Sequence, residues 1–135
     1  MFIDASAICA SLLGEPDGDG FYHAIATAPD ARTSAMALWE SALAVARVDK
    51  ISPSEALSAV NRFVAAAEIE VVSVPPETAA LAFEAFERFG KGRHPAGLNF
   101  GDCFAYACAR HFGVPLLYKG EDFAHTDIPT VRIAD

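Results

Sequence analysis

Cysteine is scarce in this 135-residue chain and forms no pattern: Cys9, Cys103 and Cys108 make no C-x-x-C and leave an odd thiol over. That argues against a disulfide scaffold or a zinc ribbon and points to a reducing compartment. Positive charge is also short, with ten Lys and Arg against eighteen Asp and Glu and a formal net charge of -8. A protein that holds nucleic acid by a broad cationic surface is therefore excluded, and any nucleic acid must be gripped locally. Long apolar runs are missing too, because Arg62, Glu68 and Glu70 cut the candidates well below the roughly 20 residues a membrane helix needs. The opening Met1-Phe2-Ile3-Asp4-Ala5-Ser6 has no basic segment and places an acid early, so a cytoplasmic protein without a membrane span is expected. The four histidines, His23, His94, His111 and His125, show no H-x-x-x-H spacing, which disfavours zinc.

What is present is core material. Hydrophobic residues make up 53% of the chain, enough for one domain over 1–135. Short apolar runs alternate with helical patterns, as in an α/β domain whose central parallel sheet is flanked by helices. Strands are predicted at 2–3, 69–74, 115–118 and 130–133. Helices are predicted from a Ser6 cap through 13, over 21–28, from a Ser34 cap through 48, over 53–67 behind the capping box Ser52-Pro53-Ser54-Glu55, over 77–89, and over 102–112. The segment 90–97, rich in glycine, reads as a flexible loop.

The positions of four acids are informative. Asp4 ends a strand, and ligands bind at the carboxyl ends of strands in open parallel sheets; its other reading is a cap for the next helix, alone or with Ser6. Glu40 is the one acid in a segment apolar nearly all round, where a carboxylate is costly unless paired or bound to metal. Its other reading is a partly exposed residue on a wet strip. Asp102 shares a helical stripe with Ala105, Cys108, Ala109 and Phe112, but at the first turn, where the helix dipole alone also favours an acid. Asp122 leaves the strand Leu116-Leu117-Tyr118, or is ordinary turn chemistry. Gathered at one end of a sheet, four carboxylates would repel and call for a hard divalent cation, Mg²⁺ or Mn²⁺.

These residues resemble a known family. The segments Phe2-Ile3-Asp4-Ala5-Ser6-Ala7, Glu40 in its helix, Leu98-Asn99-Phe100-Gly101-Asp102-Cys103-Phe104-Ala105-Tyr106-Ala107 and Leu116-Leu117-Tyr118-Lys119-Gly120-Glu121-Asp122-Phe123 are similar to those of PIN-domain ribonucleases, specifically VapC-type toxins of bacterial toxin–antitoxin pairs. The resemblance covers essentially the whole chain. It implies a PIN-like three-layer domain and a Mg²⁺- or Mn²⁺-dependent endoribonuclease. Asp4, Glu40, Asp102 and Asp122 would form its acidic metal pocket, Ser6 would support them, and Glu121 stands beside the fourth acid. It also implies a VapB-type antitoxin that covers the active site, a homodimer and a toxin–antitoxin hetero-oligomer. Arg88, Lys91 and Arg93, with Lys119, form the candidate RNA-binding set; a solvated loop is the other reading. Trp39, Phe83, Phe86 and Phe89 supply surplus aromatic surface, with Phe86 and Phe89 expected in the core by helical spacing.

Two other classes compete. One is a catalytically weak PIN-fold binding module. The other is a receiver or phosphatase of another α/β family, against which stands the absence of Asp-x-Asp-x-Thr at Asp4 and of an acid pair before it.

Overall fold

A computed structural model describes residues 1–133. Four short parallel strands, β1 (Phe2–Ile3), β2 (Arg32–Ser34), β3 (Glu70–Val72) and β4 (Leu116–Leu117), lie in the order β3-β2-β1-β4. Phe2 pairs with Arg32 on one side and with Leu116 on the other. The chain thus builds outward from β1 to β3 and then crosses back to place β4 on the far side of β1. That reversal makes the carboxyl end of β1 and β4 the topological switch point, where open parallel sheets bind ligands.

Six helices cover the sheet: α1 (Ala5–Leu12), α2 (Gly18–Ala26), α3 (Ala35–Asp49), α4 (Pro53–Ala66), α5 (Thr78–Phe89) and α6 (Phe100–Phe112). Because strand side chains alternate, Phe2 and Leu116 join one core with α5 and α6, while Ile3 and Leu117 join a second with α1 to α4. These are the three layers expected. Every buried side-chain nitrogen or oxygen among the described residues has a hydrogen-bond partner. No helix is long and apolar enough to cross a membrane.

Several boundaries differ from expectation. Helix α1 is capped by Asp4, whose Oδ2 accepts the Ser6 N–H at 3.0 Å, rather than by Ser6. Helix α2 starts at Gly18 rather than near 21, since Gly18 lies against the backbone of Ala10, where a Cβ would meet the carbonyl oxygen at 2.5 Å. Strand β2 has no apolar run to announce it; Thr33 is buried by donating its hydroxyl to the Ile3 carbonyl at 2.9 Å. Helix α6 begins behind an Asn99 cap, three residues before Asp102. The strand expected at 130–133 reduces to one bridge, Leu116 to Thr130. With β4 only two residues long, Leu116 alone offers an outward N–H and C=O, to Pro129 and Val131.

Candidate active site

Each of the four acids is delivered to the carboxyl edge of the sheet by a different element. Asp4 follows β1 directly, and its N–H donates to the Leu117 carbonyl at 2.9 Å, which ties it to the end of β4. Glu40 stands in the second turn of α3, which begins where β2 ends, behind a Ser34 side chain that accepts the Ala37 N–H. Asp102 is the third residue of α6 and forms a reciprocal capping box: its N–H donates to Asn99 Oδ1 at 2.9 Å, and its Oδ2 accepts the Asn99 N–H at 3.0 Å. Asp122 opens a 3₁₀ turn, Asp122–His125, just past β4.

The Asp4 carboxylate is the buried member, with 6% of its surface exposed. Ser6 donates both its N–H, at 3.0 Å, and its hydroxyl, at 2.5 Å, to Asp4 Oδ2. The same hydroxyl accepts the Lys119 N–H at 3.0 Å. Ser6 therefore joins the end of β1 to the loop that carries Asp122. Its hydrogen bonds and those of Asn99 use one oxygen of each aspartate.

The charges of the four acids reach one another, Asp4 and Asp102 each being felt by Glu40 and each feeling Asp122. Burial pushes the Asp4 carboxyl up against the pull of its Ser6 bonds, and the charge of Asp122 adds to the rise. Burial raises Glu40 to about 7, with the charges of Asp4 and Asp102 behind it. Burial raises Asp102 to about 6, helped by Asp4 and Asp122 and opposed by the Asn99 N–H. Asp122 thus acts on both aspartates; the Tyr118 hydroxyl is raised by burial and then by the charges of Glu121 and Asp122 together. Among the described residues, no three carboxylate, imidazole or thiolate groups lie close enough together to hold a metal ion between them. The four acids offer oxygen donors in mutual repulsion, which suits a hard divalent cation. Burial pushes the Cys9 thiol up, and it lies within reach of the charges of Asp4 and Glu40, so it stays a protonated thiol rather than a thiolate ligand.

The basic residues are placed unevenly. Arg88 pairs with Glu84 and Asp127, and Lys119 Nζ with both Glu15 and Asp17. Lys91 and Arg93 form no ion pair among the described residues, although Arg93 donates to the Glu87 carbonyl and lies over the Phe86 ring. Aromatic exposure also departs from helical spacing. Phe89 is buried as expected, but Phe86 is exposed, as are Phe83, Trp39 and Phe100 at 63%, 64% and 72%.

Phe100 and Asn99 are shared by two apolar grooves. One, of 580 Å³, runs along Met36, Trp39 and Glu40, and the other, of 600 Å³, along Phe83, Phe86 and Lys91. Asn99 lies outside the helix expected over 102–112, whose start falls two residues earlier in the structure; the spacing Asn99-x-x-Asp102 carries the signal.

An open parallel sheet with four acids at its carboxyl switch point, two of them supported by local caps, defines a class of protein. The sequence pattern of the PIN domain matches residues 1–129, and the chain belongs to that family, among its VapC ribonucleases. It is 41% identical over 134 residues to ribonuclease VapC30 of Mycobacterium tuberculosis, covering 98% of this chain and 99% of that protein. Ribonuclease VapC of Mycolicibacterium smegmatis is 39% identical over 133 residues, covering 98% and 100%. The fold matches the crystal structure of Mycobacterium tuberculosis VapC20, described as a sarcin-ricin loop cleaving toxin. The TM-score is 0.75 at 21% identity, over 97% of this chain and 98% of that one.

Proposed function

We propose that this protein is a Mg²⁺- or Mn²⁺-dependent endoribonuclease, one PIN domain over 1–135, that acts as the toxin of a VapBC-type pair. The observation that carries the reading is the convergence of Asp4, Glu40, Asp102 and Asp122 from four separate elements into one electrostatically coupled cluster. A bound divalent cation supplies charge neutralisation and Lewis acidity toward a phosphodiester. Asp4 and Asp102 are the principal ligands in this reading, since each is already oriented by hydrogen bonds. Glu40 and Asp122 complete the shell or orient the attacking water. Ser6 holds Asp4 in place. The protonated forms favoured by burial must lose their protons before a cation binds, so proton release accompanies loading.

RNA reaches this acidic protein through the cation and a few local contacts; within the candidate set Arg88, Lys91, Arg93 and Lys119, it is Lys91 and Arg93 that form no ion pair among the described residues. Arg88 and Lys119 contribute as structural clamps more than as phosphate ligands. The exposed aromatic grooves beside Glu40 support a VapB-type antitoxin that covers the site, and the same apolar surface supports homodimers and toxin–antitoxin hetero-oligomers. Three unpaired thiols, two of them buried, support a reducing cytoplasm.

The test is cleavage of a structured RNA panel by protein freed of copurifying partners, with Mg²⁺, with EDTA, and with the Asp4→Ala and Asp102→Ala variants. Cleavage that needs the metal and falls at least ~100-fold in both variants supports the enzyme. Folded wild type that cuts nothing with either metal, yet binds a VapB-type antitoxin, would establish the binding-module reading instead.

A further inference from the structure

Gly101 is the second residue of α6, between Phe100 and the acid Asp102. Its backbone is ordinary helix, so nothing in its own conformation requires glycine, and alanine is the better helix former there. The space a side chain would fill is taken instead by Glu40. A Cβ on Gly101 would stand 2.5 Å from Cδ of Glu40, and closer still to its Oε1 and Oε2. Those three atoms belong to the far end of one flexible side chain. No backbone atom is among them.

Glu40 has no other tether. Asp4 is held by Ser6 and Asp102 by Asn99, but the Glu40 carboxylate makes no hydrogen bond and no ion pair among the described residues. Its place is set by packing alone, against the bare Cα at the start of α6, where the helix dipole favours a negative group. We propose that Gly101 is a positioning residue for Glu40. The missing side chain is what admits this carboxylate to the cluster with Asp4 and Asp102. A methyl group there would turn Glu40 aside and leave the helix intact. The inference rests on the divalent-cation reading of the site.

The experiment compares wild type, Gly101→Ala, Glu40→Ala and the double variant by thermal unfolding without metal and by calorimetric titration with Mn²⁺. Gly101→Ala is expected to unfold at or above the wild-type temperature and to bind Mn²⁺ about 10- to 100-fold more weakly. In the Glu40→Ala background the same substitution should cost nothing further, because a residue that acts only through Glu40 has nothing left to position. Unchanged Mn²⁺ affinity in Gly101→Ala overturns the inference, as does a large loss of thermal stability or a loss of affinity that persists without Glu40. Wild type that binds no Mn²⁺ overturns the cation reading itself, and this inference with it.

Discussion

At the scale of single residues, the site is defined by carboxylates that folding makes less acidic. Burial and mutual repulsion raise Asp4, Glu40 and Asp102, the last two from 4.5 to about 7 and from 3.8 to about 6. The native protein therefore binds protons more tightly than the unfolded chain between about pH 4 and 7. Across that window, stability without metal falls as pH rises. Differential scanning fluorimetry should show this fall, with Mg²⁺ or Mn²⁺ offsetting it.

Glu40→Gln removes a charge without changing shape, so the metal-free variant should melt about 2–5 °C above wild type at pH 7.5 while losing cleavage. Cleavage itself should rise through pH 6–7 as Glu40 and Asp102 deprotonate. More metal should move that rise to lower pH, since cation and proton compete. Ser6→Ala deletes the hydroxyl that Asp4 accepts at 2.5 Å. A loss of about 10- to 100-fold in Mn²⁺ affinity is expected by calorimetry, and an unchanged affinity would remove Ser6 from the site.

At the scale of elements, Asp4 owes its position to where β1 stops, Asp102 and Asp122 to where a helical turn starts, and Glu40 to the second turn of α3. The Asn99 cap both starts α6 and holds Asp102, so Asn99→Ala should lower stability by about 1 kcal/mol in urea unfolding and weaken metal binding at the same time. A Glu55→Ala variant, which breaks the Ser52–Glu55 capping box of α4, should lower stability without touching cleavage. The two substitutions separate the cost of a lost cap from the cost of a misplaced acid. The sequence announced most of these elements, because capping boxes, proline pairs and β-branched runs are local signals. Strand β2 escaped because Arg32-Thr33-Ser34 is polar, and its burial is made possible only by the Thr33 hydroxyl meeting the carbonyl of Ile3. The bridge at Thr130 was overestimated because apolar residues there pack against a strand that has only one residue to offer.

For the whole molecule, charge is the constraint. The net charge of -8 opposes RNA over the surface at large, and with Arg88 and Lys119 each committed to two carboxylates, the candidate RNA-binding set is left with Lys91 and Arg93 for phosphates. Binding of single-stranded RNA by the Asp4→Asn variant should depend weakly on salt, with a log–log slope of about -1 to -2 in fluorescence anisotropy. A slope several times steeper would mean that these ion pairs open on binding. The aromatic surface around Trp39, Phe83 and Phe100 lies outside both cores, which is more than a free-standing domain of this size requires.

The sequence by itself determined the layers and the family. Alternation of short apolar strands with capped helices dictates a covered parallel sheet, and acids at strand ends and helix starts carry their meaning locally. Only the tertiary structure decided which groups meet. Asp122 rather than Glu121 acts on the aspartates, Lys119 turns to Glu15 and Asp17, and Glu40 rests on Gly101, 61 positions along the chain. Such pairings depend on how the chain crosses back beside β1, and long-range distances of that kind have no local pattern of residues to announce them.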